Sequence, residues 1–328
     1  MWIPSTFKCR VDTTFSTWGS WWIEIPNLQA NERYAFQYLV DGEIIIADPY
    51  SELVLDPNND QYIAAETYPN PHPYPQGKTS GIASLIEMTK TPYTWEVSDF
   101  IAPEENKLIV YEMLVRDFVA KHNYKTLLDT LDYLVNLGIN AIELMPINEF
   151  EGNESWGYNP SYHMALDKYY GTPASLKAFV DACHKRGIAV IVDVVYNHAF
   201  SQNPLCQLYW DATTFKPTGQ NPFVNTDAKH DFNVGYDLNH ESAALRAYLK
   251  QIMEYWLTEF KLDGFRFDLS KGFTQKNTLG NVGAWGAYDI DRVNNLKRIY
   301  NEVKSVNPNA YVILEHFADN SEEKDLAN

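Results

Sequence analysis

From Lys107 onward, short apolar runs alternate with amphipathic stretches, at about 108–115, 139–145, 188–195, 264–269 and 311–314. Between the first runs, Leu127, Leu131, Leu134 and Val135 share one helical face, and Leu176, Phe179, Val180 and Cys183 share another. Thr172-Pro173 predicts a helix start, with a capping hydroxyl followed by proline at the first position. A third helix is expected after Ser242, carrying Leu245, Leu249, Ile252, Trp256 and Phe260, and a fourth over about 289–303. Near-continuous apolar strands alternating with helices predict a parallel sheet, open or closed. The helix-to-strand connections are tight: Leu137-Gly138, Arg186-Gly187, Asp263-Gly264 and Asn307-Pro308-Asn309. The long connections, about 146–172 and 196–241, both follow strands. Expansion at the carboxyl ends of the strands is where a (β/α) barrel keeps its active site. Polar groups arrive there too: Asp117, Asp193 with Asn197-His198, Arg266 with Asp268, and Glu315-His316.

The fourth run, Leu262-Asp-Gly-Phe-Arg-Phe-Asp-Leu-Ser-Lys271, carries the most chemistry. Side chains of a strand alternate faces, so Arg266 and Asp268 point one way and Phe265, Phe267 and Leu269 the other. An arginine one strand repeat away favours an ionised acid, typically by about 1–3 pKa units. An oriented carboxylate at a strand end suits a nucleophile that attacks a sugar carbon. The same pattern also fits a structural ion pair at a strand terminus.

A formal net charge of −17 argues against nucleic acid or an anionic membrane as partner and suits a neutral substrate. Three cysteines, Cys9, Cys183 and Cys206, form no disulfide framework and lack metal-site spacing; Cys183 is expected in the core. No signal peptide or membrane-spanning run is visible, the longest apolar run being interrupted by Asp193. The pattern leaves compartment and oligomeric state open.

Residues 1–65 read as all-β, with strand-like stretches at 21–25, 34–40 and 43–47 and a hairpin turn at Asp41-Gly42. A small immunoglobulin-like sandwich is expected there, its first strand short or missing, with Trp18, Trp21 and Trp22 as core or as a sugar-stacking platform. Residues 66–106 are Pro-rich and predict an irregular linker anchored by Trp95. Residues 107–328 form the remaining domain, with about 196–241 as an inserted loop region.

Asp193-Val-Val-Tyr-Asn-His198, Gly264-Phe-Arg-Phe-Asp268 and Glu315, in that order, resemble three of the four signature segments of the α-amylase family of glycoside hydrolases. Trp156-Gly-Tyr-Asn-Pro160 looks like the family's aromatic-Pro motif. The resemblance covers about residue 107 to the end and implies a partial TIM (β/α)8 barrel of about five βα units. The preceding region is similar to the sandwich modules of α-glucan-active members.

The resemblance implies that Asp268 is the nucleophile and Glu315 the general acid/base, with Arg266 holding Asp268 ionised. Asp193 would brace the arginine or the sugar, and His198 would hydrogen-bond the sugar hydroxymethyl. Tyr158 would stack under the sugar beside the scissile bond, and Lys271 would reach a sugar on the aglycone side. Asn197 matches a calcium ligand of the family, so a structural calcium is a further expectation, although the reaction itself requires no cofactor. Gly272 stands where calcium-binding members place a histidine, and the charges at Asp227, His230, Asp231 and Asp237 read equally as a solvated loop. Trp285, in the glycine-rich stretch 280–286, is a candidate sugar platform. The sequence stops at Asn328 just after the fifth strand. The family's last three units, with a third catalytic Asp, are therefore expected beyond it, and little or no turnover is expected from this stretch in isolation.

A retaining glycosidase needs two carboxyl groups about 5–5.5 Å apart. Adjacent parallel strands, about 4.8 Å apart, can supply that separation from Asp268 and Glu315. With only Leu314, His316 and Phe317 beside it in sequence, Glu315 is expected to be the acid that keeps its proton. An α-1,4-glucan hydrolase is the leading expectation, and a branching or debranching enzyme of the same family the first alternative. A non-catalytic glucan-binding relative is a third, opposed by the presence of Asp268, Glu315 and Arg266. No strand is followed by a Gly-rich phosphate loop, which disfavours a nucleotide-binding protein.

Overall fold

The computed structural model describes residues 10–12 and 20–327. Five parallel strands form its centre: β1 (Val110–Met113), β2 (Ala141–Leu144), β3 (Ala189–Val194), β4 (Gly264–Phe267) and β5 (Tyr311–Leu314). They pair in chain order, each with the next. Helices α1 (Leu131–Leu137), α2 (Pro173–Lys185), α3 (Ala243–Glu259) and α4 (Ile290–Val306) form the crossovers, and α5 (Asn320–Ala327) follows β5. The local signals are physical. Thr172, Ser242 and Asp289 each accept a backbone N–H as the N-cap of α2, α3 and α4, and Gly138 closes α1 in the left-handed conformation. No helix of the described residues is long and apolar enough to cross a membrane.

Alternation along each strand divides the two faces. Val190, Val192, Val194, Phe265 and Phe267 are buried in the large core shared with the helices. Ala141, Ala189, Ile191 and Tyr311 form a second buried layer on the other face. Asp193 and Arg266 continue that second face upward, directly paired in the β3–β4 register. Gly264 permits the close approach of β4 to β5, where it pairs with Tyr311: a Cβ there would lie 2.4 Å from the Tyr311 carbonyl oxygen.

At the amino ends of the strands, Asp263 fastens the sheet. Its Oδ2 accepts from the Val190 N–H at 2.7 Å and lies 2.9 Å from His184 Nε2, while its carbonyl accepts from the Tyr311 N–H. His184 in turn stacks on Phe100 at 4.0 Å, so the segment before β1 is tied to the same rim.

The amino-terminal region differs from the sandwich expected of it. Among the described residues it holds a three-stranded antiparallel sheet and two separate strand pairs. The sheet joins Arg33–Phe36 and Val54–Leu55 to Ala83–Glu87, which comes from the stretch read as linker. The Asp41-Gly42 turn forms as expected, both residues in the left-handed region, between paired strands Tyr38–Val40 and Ile44–Ile46. Leu55, Ala83 and Leu85 of this sheet form a small core of their own, and other apolar residues of the region pack on the loop after β2. Ala47 and Val54 bury against Tyr162 and Ala165 of the long loop after β2. Lys168 of that loop bridges Glu149 and Asp60, the latter at 3.2 Å. Trp95 packs on the core with Lys261 Nζ 4.7 Å over its ring. Trp18 and Cys9 lie outside the described residues, and Trp22 is partly exposed.

Candidate active site

The carboxyl rim brings Asp193, Arg266, Asp268 and Glu315 together. Arg266 Nη1 donates to Asp193 Oδ2 at 2.9 Å and to Asp268 Oδ1 at 3.1 Å, while Nη2 lies 3.4 Å from Glu315 Oε2. One guanidinium therefore touches carboxylates from three consecutive strands of the sheet. The Tyr158 hydroxyl donates to Asp193 Oδ2 at 2.6 Å, placing the loop after β2 over the same cluster. The other oxygen of Asp193 is buried without a partner in the structure.

The electrostatics correct two expectations. Burial pushes the Asp268 carboxyl up to about 6, and the charge of Glu315 adds to this, against the pull of Arg266. The arginine does not hold Asp268 below the ordinary range, because its charge is shared among three acids. Nor is Glu315 the uncompensated acid that its sequence neighbours suggest. Its Oε2 accepts from the Leu269 N–H at 2.9 Å as well as facing Arg266. Burial likewise raises Asp193 to about 7, although Arg266 and the Tyr158 hydroxyl pull the other way.

The remaining candidates are placed less simply. His198 is buried with both ring nitrogens engaged: Nε2 lies 2.9 Å from the Tyr158 carbonyl and Nδ1 lies 3.1 Å from Asn197 Nδ2. Rather than facing a sugar hydroxymethyl, it supports the backbone of Tyr158. Trp285 is 7% exposed, with Phe232 (4.4 Å) and His230 (5.2 Å) stacked on it, and so presents no free face as a sugar platform. Phe232, on the outside of that stack, is 45% exposed. Lys271 places Nζ 3.8 Å over the Trp285 ring and donates to the Phe317 carbonyl at 3.0 Å, rather than reaching outward.

The surroundings of Asn197 do not fit a calcium ion. Its Oδ1 faces His230 Nε2 at 3.2 Å and its Nδ2 donates to Asn233 Oδ1 at 2.9 Å, with no carboxylate in the set. Asp237 is turned to Asn225 and the Lys229 N–H. Gly272 belongs to this packing, since a Cβ there would overlap Asn197 Oδ1. Among the described residues no group of three or more His, Cys, Asp or Glu is arranged to hold a metal.

Glu143, which the sequence reading passed over, also belongs to this face. It pairs in register with Ile191, and burial raises its carboxyl while Arg266 lowers it. The alternation Ala141-Ile-Glu143 puts it on the face of Ala141, one strand repeat before the level of Asp193.

Residues 122–217 match the family model described as alpha amylase, catalytic domain. Malto-oligosyltrehalose trehalohydrolase of Saccharolobus solfataricus is 26% identical over 80% of this chain and 45% of its own length. The 1,4-alpha-glucan branching enzyme GlgB of Nitrosomonas europaea is 27% identical over 87% and 39%. Isoamylase SU1 of Zea mays is 28% identical over 69% and 32%. Among solved structures, GBS pullulanase SAP in complex with maltotetraose superposes with a TM-score of 0.57, at 23% identity over 83% of this chain and 35% of that one. Eubacterium rectale Amy13B superposes with a TM-score of 0.53, at 24% identity over 69% and 48%. The chain thus spans under half the length of the curated relatives it matches. In sequence and in fold, the chain is related to the α-amylase family of glycoside hydrolases.

Proposed function

We propose that the protein is a retaining glycoside hydrolase acting on α-1,4-glucans, with Asp268 as nucleophile and Glu315 as general acid/base. The five strands are then five units of a (β/α)8 barrel. The observation that carries this reading is the convergence of Asp268 and Glu315 on one guanidinium. The Asp268 carboxylate attacks the anomeric carbon as Glu315 protonates the departing glycosidic oxygen, leaving a sugar esterified to Asp268. Glu315 then removes a proton from water, which attacks the same carbon and frees Asp268. With its carboxyl at about 6, Asp268 is largely ionised at neutral pH, as a nucleophile must be. Arg266 balances the acids, Asp193 braces that arginine, and Tyr158, its hydroxyl on Asp193, stacks under the sugar.

A glucan-branching or debranching activity is the second reading, favoured by the names of the branching enzyme and the isoamylase among the relatives. The test is incubation of the full-length protein with amylose and with pullulan, following anomers by NMR. Release of α-configured reducing ends from amylose supports the proposal. New α-1,6 linkages or pullulan cleavage moves the assignment to the second reading, and inverted products or binding without turnover overturns both.

A further inference from the structure

Below the carboxylate cluster lies a second charged assembly, which the mechanism does not use. Glu322 of α5 and Arg292 of α4 are buried, their side chains 0% and 1% exposed. Arg292 Nε donates to Glu322 Oε1 at 2.6 Å and Nη2 to Oε2 at 2.7 Å, a two-pronged pairing. Oε2 also accepts from the Asp289 N–H at 2.7 Å, and Oε1 lies 2.7 Å from His316 Nε2. The remaining guanidinium hydrogens go to the carbonyls of Lys271, Trp285 and Ala287.

The path then runs upward. An ionised carboxylate only accepts, so His316 Nε2 carries the proton on that side, and Nδ1 faces Ser270 Oγ at 3.0 Å. Ser270 closes on the main chain of Glu315: its N–H donates to the Glu315 carbonyl at 3.0 Å, and its hydroxyl lies between that carbonyl, at 2.8 Å, and His316 Nδ1. The preceding residue, Leu269, donates its N–H to the Glu315 carboxylate while held in the left-handed region at φ 46°. Such a conformation costs a leucine about 1–3 kcal/mol and persists only where its surroundings over-determine it. A buried ion pair is by itself weak support for stability, so what this one organises is the more telling question.

We propose that Glu322 is a positioning residue: through His316 and Ser270 it fixes the main chain of Glu315 against the turn that follows Asp268, setting the separation of the two acids. The proposal rests on the roles given to Asp268 and Glu315 above.

In the full-length protein, His316→Asn cuts the link to Glu322 and leaves the Arg292–Glu322 pair whole, so the fold survives where Glu322→Gln can lose it. Misplacement of a reacting group by about 1 Å costs about 100-fold in rate. The expected result is a loss of kcat of about that size with KM within about twofold, and partial recovery in His316→Gln, whose longer side chain reaches toward the Nε2 position. Wild-type kcat in a folded His316→Asn protein overturns the proposal, as does a parallel change in kcat and KM. If the wild type itself turns over no glucan, the glycosidase reading fails separately. Crystal structures of wild type and His316→Asn then decide the positioning role, a displaced Glu315 main chain supporting it and an unmoved one overturning it.

Discussion

The two rims of the central sheet each carry a buried carboxylate between β3 and β4, in opposite circumstances. At the amino rim, Asp263 meets a backbone N–H and an imidazole from α2 and ties β3, β4 and the preceding segment together. At the carboxyl rim, Asp193 has one oxygen without a partner and shares a single guanidinium with Asp268 and Glu315. The first arrangement satisfies its acid; the second crowds three acids onto one cation, and burial together with the neighbouring acids lifts two of them to about 6 and 7. Crowding of like charge is what stability alone would remove, and it is the contrast on which the proposed active site rests.

Exchange of acids between these rims sharpens the contrast. Asp268→Asn removes the proposed nucleophile, and kcat on amylose is expected to fall by at least about 10³-fold with the melting temperature unchanged or raised. Asp263→Ala leaves the Val190 N–H and His184 without their acceptor, at a cost of about 3 kcal/mol in urea unfolding, with residual activity tracking the folded fraction. Gly264→Ala forces β4 from the Tyr311 carbonyl and is expected to cost about 2–3 kcal/mol by the same measurement. An effect of Asp263→Ala on kcat in fully folded protein would break the division of labour.

The pH dependence follows from the same crowding. Asp193 and Asp268 titrate higher folded than unfolded, so the folded state binds more protons between about pH 4 and 7. Their contribution to stability is present below the unfolded carboxyl range and is lost as pH rises through about 6 and 7. Asp193→Asn and Asp268→Asn are each expected to flatten the fall in melting temperature over that interval. Tyr158→Phe deletes one charge-assisted hydrogen bond to Asp193 and is expected to lower kcat/KM about 10-fold. Smallest is Asp117→Asn: this acid follows β1, but it is exposed and pairs only with Arg116, so activity is expected within about twofold of wild type.

Much of this was legible in the chain. Strand periodicity of two placed Arg266 and Asp268 on one face, and the tight helix-to-strand connections, Asp263-Gly264 among them, put the long loops and the strand-end acids Asp193 and Glu315 at the opposite rim. What could not be read was the balance of forces at each residue. Arg266 beside Asp268 suggested a depressed acid, but burial and Glu315, 47 positions later in the chain, outweigh it. His198, Lys271 and Trp285 have the right residue types for sugar contacts, yet their partners, the Tyr158 carbonyl, the Phe317 carbonyl and Phe232, come from other loops. The amino-terminal strands carry the β pattern without revealing that Ala47 and Val54 pack on the loop after β2.

The central claim is that Asp268 is the carboxylate that takes the sugar. Treating the full-length protein with an activated fluoro-glucosyl fluoride, then mapping the labelled peptide by mass spectrometry, tests it directly. One fluoroglucosyl group on Asp268, absent in Asp268→Asn, is the predicted result; an active enzyme labelled at another carboxylate, or never labelled, would contradict it.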